Sequence, residues 1–104
     1  MNNTLTYDDL LEHIEYKKFM KLCSNLVLKY DLNPSELKIA LSVLLLFFIQ
    51  GANFHKPVKL FTKFIHDSSK VNKTNISKYV KMLSVKDVLF LKDGNYFVND
   101  KVFI

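Results

Sequence analysis

Asn72 to Lys86 reads Asn-Lys-Thr-Asn-Ile-Ser-Lys-Tyr-Val-Lys-Met-Leu-Ser-Val-Lys, and the conformation of this stretch decides the fold. Asn72 offers a side-chain oxygen to the free N–H groups of a helix start. Ile76, Val80 and Leu83 follow at spacings of four and three, which places them on one face of a helix running roughly from Lys73 to Lys86. Asp87 takes the stop position, since Asp tolerates the left-handed conformation there. With the apolar residues turned inward, the other face presents Lys73, Thr74, Asn75, Ser77, Lys78 and Lys81. Amines, amides and hydroxyls on one helical face suit a polyanion, although an ordinary solvated helix has a similar surface.

Working outward, Ser69, Lys70 and Val71 form a tight turn. Before it, Phe61 to about Ser68 reads as a helix with Phe61, Phe64 and Ile65 inward, and Lys56 to Leu60 reads as a short strand. After the helix, Val88–Lys92 and Asn95–Asn99 alternate as two strands joined by Asp93-Gly94, a pair that favours a two-residue type I′ hairpin turn. Upstream, Asn33-Pro34-Ser35-Glu36 is a helix start with a capping residue, a first-turn proline and a carboxylate three positions on. That helix runs to about Gln50 and ends at Gly51. Leu37, Ala40, Leu41, Leu44, Leu45 and Phe48 mark one face of it, and Ile39, Val43, Leu46 and Phe47 most of the rest. A helix apolar nearly all round must be covered nearly all round, which predicts packing against a second subunit.

Residues 7–32 are mostly helical in pattern. Leu10, Leu11 and Ile14 form one stripe, and Phe19, Leu22, Leu26 and Tyr30 another; Tyr16 to Leu22 is compatible with either helix or extended chain. Residues 1–6 are polar and read as a frayed end. The fold class expected is α+β, mainly α. Residues 1–32 form an N-terminal helical extension that pairs two subunits, and residues 33–104 form the principal domain.

The order helix, short strand, helix, tight turn, helix, hairpin resembles the winged helix-turn-helix superfamily. Leu37–Phe48, Val58–Leu60, Phe61–Val71, Asn72–Leu83 and Val88–Val98 carry the resemblance. Lys18-Phe19-Met20-Lys21-Leu22 ahead of Leu32-Asn33-Pro34-Ser35-Glu36-Leu37-Lys38, with Gly94-Asn95-Tyr96-Phe97-Val98-Asn99 and Phe103 later, is similar to the winged-helix replication initiators of Firmicute plasmids. Those carry Asn-Pro after the wing, where this chain has Asn99-Asp100. Small accessory proteins of conjugative transfer look similar too. The resemblance implies sequence-specific binding of double-stranded DNA at an origin of replication or transfer, with partners among other replication or transfer proteins. A transcriptional repressor of the same fold, or a winged helix used only for protein assembly, are the alternatives.

Composition agrees. The 104 residues carry a formal net charge of +5, and eleven of the fifteen lysines follow Leu37, against four acids, so the positive charge is concentrated in one part of the chain. Between residues 56 and 81 there are seven Lys and one acid, Asp67. There is no Arg, so the bidentate guanidinium fork on guanine is absent and reading falls to Lys, Asn, Ser, Thr and Tyr. Asn75 suits adenine, and Thr74 a thymine methyl or a phosphate. In the hairpin, Lys92, Asp93, Gly94, Asn95 and Tyr96 form the candidate wing contact, with Tyr96 equally suited to cross-strand packing. Lys56, Lys59, Lys63 and Lys70 supply a phosphate-binding surround.

No enzyme signature is present. Two glycines cannot build a phosphate loop, and no Gly-x-Ser-x-Gly occurs. His13, His55, His66 and Cys23 have no metal-ligand spacing, so neither cofactor nor metal is expected. A lone Cys23 and the lack of a signal peptide fit the cytoplasm. The apolar run Ile39–Ile49 falls short of the roughly 20 residues a membrane span needs.

Overall fold

The computed structural model describes residues 5–104 and shows a mainly helical chain with one small antiparallel sheet. Among the described residues the α-helices are α1 (Leu5–Leu11), α2 (Tyr16–Ser24), α3 (Pro34–Ile49), α4 (Thr62–Ser69) and α5 (Lys73–Val85). The strands β1 (Leu89–Lys92) and β2 (Asn95–Val98) follow, and a 3-10 turn at Asp100–Phe103 ends the chain. Of the frayed end expected over residues 1–6, residues 1–4 lie outside the described residues, and Leu5 and Thr6 open α1. No helix among the described residues is long and apolar enough to cross a membrane.

Tyr16–Ser24 resolves to helix, and it runs on into a π-helical turn at Asn25–Lys29, closed by Tyr30 N donating to Asn25 O at 3.1 Å. The wider turn keeps Leu22 and Leu26 buried together while Val27 and Leu28 face outward. Helix α3 begins as expected. The Asn33 side chain accepts from Glu36 N at 2.8 Å, and the Glu36 carboxylate accepts from Asn33 N at 3.0 Å. These two bonds satisfy reciprocal donors of the first turn.

Every residue from Ile39 to Phe47 is buried, and the cover comes from the same chain: α1, α4 and α5 all pack on α3. The second subunit predicted for that helix is not needed. Leu10, Phe19, Leu22 and Leu26 of the N-terminal segment belong to one continuous core with Ile65, Ile76, Leu83, Leu89 and Val102. The segment therefore closes its own domain's core. Asn25 Nδ2 donates to Val102 O at 3.1 Å, tying the π turn to the C-terminal turn.

Two further expectations are corrected. Lys56–Leu60 forms no strand. Val58 N donates to Tyr96 O at 2.9 Å, but Pro57 has no N–H to give. At Lys59 both backbone groups are held by one side chain: Lys59 N donates to Gln50 Oε1 at 2.8 Å, and Gln50 Nε2 donates to Lys59 O at 2.9 Å. A single carboxamide thus takes the place of a neighbouring strand, and the segment lies beside β2 through the Val58 bond without joining a ladder. Phe61 is exposed rather than inward. It is the N-cap of α4, with extended backbone (φ −88°, ψ 110°), so its side chain leaves the helical register that Phe64 and Ile65 obey.

Candidate nucleic-acid interface

Helices α4 and α5 are joined by a turn that side chains lock. Lys70 adopts the left-handed conformation (φ 63°) and caps α4 by donating its N–H to His66 O at 2.8 Å. His66 Nδ1 lies 2.8 Å from Val71 O, a distance at which the imidazole N–H donates to the carbonyl. Val71 N donates to Ser69 Oγ at 3.2 Å. Asn72 then caps α5: its Oδ1 accepts both Thr74 N and Thr74 Oγ1, each at 3.0 Å. The Thr74 hydroxyl proton is committed to that cap, which leaves the acceptor side of its oxygen and its methyl group to meet a partner.

Ile76, Val80 and Leu83 are buried, as their spacing predicts, and Lys73, Thr74, Asn75, Ser77, Lys78 and Lys81 are all exposed. The six predicted residues therefore share one open helical surface. The Lys78 ammonium sits 5.3 Å from the centroid of the Tyr79 ring, a contact it must relax to reach outward. The C-terminal end of α5 is anchored by a group the sequence did not single out. Lys86 Nζ donates to Glu36 Oε1 at 2.6 Å and to Asp31 O at 2.7 Å. Burial raises the Glu36 carboxyl; the bonds from Lys86 and from Asn33 N, with the Lys86 charge, outweigh it and leave the group below its ordinary range.

Strands β1 and β2 pair Leu89 with Val98, Phe90 with Phe97, Leu91 with Tyr96 and Lys92 with Asn95. Asp93 and Gly94 both have positive φ, 51° and 78°, in agreement with the expected turn. Lys92, Asp93, Gly94 and Asn95 are exposed at the tip. Tyr96 is half-buried on the opposite hairpin face from Lys92 and Asn95, lining a cleft of about 190 Å³ with Leu60, Ile76, Ser77 and Val80. It packs the hairpin toward α5 and does not belong to the tip.

The four surround lysines are exposed but fall in two groups. Lys56 and Lys59 lie along the segment tied to β2. Lys63 and Lys70 are on α4 and at its end, and Lys63 is paired with Asp67 at 3.1 Å, both side chains well exposed. The bond from Lys63 is the main cause that holds the Asp67 carboxyl below its ordinary range. Elsewhere, burial pushes the Cys23 thiol up, away from the reactive thiolate. His13 stacks on Phe48 with ring centroids 5.4 Å apart. Among the described residues no group of three or more His, Cys, Asp or Glu could hold a metal ion.

No protein-family profile, no curated protein and no solved structure matches the chain.

Proposed function

We propose that this protein is a winged helix-turn-helix module that binds double-stranded DNA sequence-specifically, with α5 in the major groove and the β1–β2 hairpin as its wing. One observation carries the reading. Helix α5 buries Ile76, Val80 and Leu83 and leaves six polar or cationic residues on one open surface, three of them Lys, behind a side-chain-locked turn from α4. A helix of this kind fits the major groove, and its first turn is the part that meets base edges. Asn75 pairs with adenine there, the Thr74 methyl meets thymine, and Lys73, Lys78 and Lys81 hold phosphates. With no Arg available, the reading favours A·T-rich half-sites.

The resemblance to plasmid initiators and transfer accessory proteins directs the search to an origin of replication or transfer. A homodimer would place two α5 helices on paired half-sites. Its remaining support is the exposed apolar set Tyr16, Met20, Val27 and Leu28 on the N-terminal segment.

Selection of bound duplexes from a random pool, followed by titration at several salt concentrations, tests the proposal. With about four to six phosphates neutralised, log affinity should fall against log salt with a slope of roughly −4 to −5. Asn75→Ala and Lys78→Ala should each weaken the selected site, Asn75→Ala by about ten-fold or more and with relaxed preference at one position. No duplex retained at low salt, or unchanged affinity in both variants, would leave the assembly-module alternative standing.

A further inference from the structure

The hairpin has a second face that the DNA reading does not use fully. Its register places Phe90 beside Phe97 on one side of the ribbon, with Lys92 and Asn95 next along it. That face forms one wall of a groove of about 560 Å³, within the range of small-molecule sites. Phe54, His55, Asp93 and Asp100 line the same groove.

Phe90 is 48% exposed, although it sits on a strand where an apolar side chain would usually be covered. Phe54 is fixed from behind. Its ring lies 4.9 Å from that of Phe47 and 5.9 Å from that of Phe103, centroid to centroid. The turn that carries Asp100 is also held. Asn99 Nδ2 donates to Asp87 O at 2.8 Å, and Asn99 Oδ1 accepts from Lys101 N at 3.0 Å, which positions the turn bearing Asp100. The groove is therefore largely formed before anything enters it.

Three phenyl rings accept a flat aromatic partner by stacking or edge contact, and their faces attract positive charge. Two carboxylates against the single Lys92 ammonium leave the charged groups of the lining net negative, which suits a cation. We infer that this groove is a binding site for a small planar aromatic cation, in contact with Phe54, Phe90 and Phe97 and favoured by the Asp93 and Asp100 carboxylates of the lining. The site is separate from the α5 surface, and its test contains no DNA.

Fluorescence anisotropy with proflavine, a planar cation, measures the site directly; acridone, of similar outline and neutral, and fluorescein, an anion, are the comparisons. Proflavine should bind best. Phe90→Ala should weaken it about five-fold through the lost ring contact. Asp100→Asn should weaken it several-fold, and Lys92→Gln should tighten it. Phe90 is half-exposed and outside the core, and circular dichroism of each variant verifies its fold. Equal binding of acridone or fluorescein, competition by single-stranded oligothymidylate, no proflavine binding at millimolar concentration, or unchanged affinity in both Phe90→Ala and Asp100→Asn would overturn the inference. Any of these would leave the duplex titrations untouched, and a failed duplex titration would leave the groove untouched.

Discussion

Replacing Lys86 by Met isolates the tie between the end of α5 and the start of α3. In the native chain the Lys86 ammonium is 2.6 Å from Glu36 Oε1 and 2.7 Å from Asp31 O, with the Lys86 and Glu36 side chains 22% and 4% exposed. Methionine keeps most of the length and removes the charge. Glu36 is then a buried carboxylate whose remaining partner is Asn33 N. Breaking a fully buried pair from one side costs about 3–5 kcal/mol, and the partial exposure of Lys86 lowers that to about 2–3 kcal/mol. Adding Glu36→Gln should recover about 1 kcal/mol or more, because the amide oxygen still accepts from Asn33 N without a stranded charge. Denaturant unfolding followed by circular dichroism measures both variants. The sign of the pH dependence follows from Glu36. Its folded pKa is depressed below the ordinary 4.5, so its contribution is present above that pH and is lost as pH falls through the folded value. In Lys86→Met the charge that lowers it is gone and burial dominates, which raises the folded pKa above 4.5, so protonation relieves the variant and the gap to the native protein should begin to narrow above pH 4.5 and go on narrowing as the native Glu36 protonates below it. A loss under about 0.5 kcal/mol at neutral pH, typical of a solvated surface pair, would refute the reasoning.

Three further outcomes are expected. Asp67→Asn releases Lys63 from its 3.1 Å pair and removes one negative charge from the α4–α5 surface, so non-specific duplex affinity should rise by about two- to five-fold at low salt; no change in a gel-shift titration would place Lys63 outside the interface. Gln50→Ala deletes the carboxamide that holds both backbone groups of Lys59. It should cost about 1 kcal/mol and speed hydrogen exchange at Lys59 N more than at residues of α5. Gly94→Ala meets no atom within 4 Å, so its cost is backbone strain alone at φ +78°, about 1 kcal/mol by thermal unfolding; a loss well above that would mean the turn makes contacts its open surroundings do not suggest.

The parts legible in the sequence are those whose signals are local. The capping box of α3, the Asn72 cap of α5, the Asp93-Gly94 turn and the spacing of Ile76, Val80 and Leu83 each depend on residues within a few positions of one another, and all four are found. The misread parts turn on partners far along the chain. A strand at Lys56–Leu60 needs a ladder, and Gln50, nine residues before Lys59, occupies the hydrogen bonds a ladder would use. The Lys86–Glu36 pair spans fifty residues and leaves no periodic trace. Helical spacing alone turns Phe61 inward, but it is the N-cap, one residue before α4 begins, where that spacing does not hold.

The all-apolar α3 shows the same boundary in its sharpest form. Its composition demands cover on every side, but composition does not say whose atoms supply it. Here the chain supplies them, with α1, α4 and α5 closed around Ile39–Phe47. This bears on the proposed function. Helix α5 is held on α3 by its buried face, at its start by the locked turn after α4, and at its end by Lys86 on Glu36. With three independent restraints, the direction of its polar surface is set before any partner arrives, and side chains on such a rigid element lose little freedom on binding. On the proposed DNA-binding reading, specificity would rest on where Thr74 and Asn75 stand, while long lysines on the same helix would adjust to the phosphates. Variants that loosen a restraint without touching that surface, Lys86→Met among them, should therefore weaken discrimination between sites more than they weaken affinity for duplex as such.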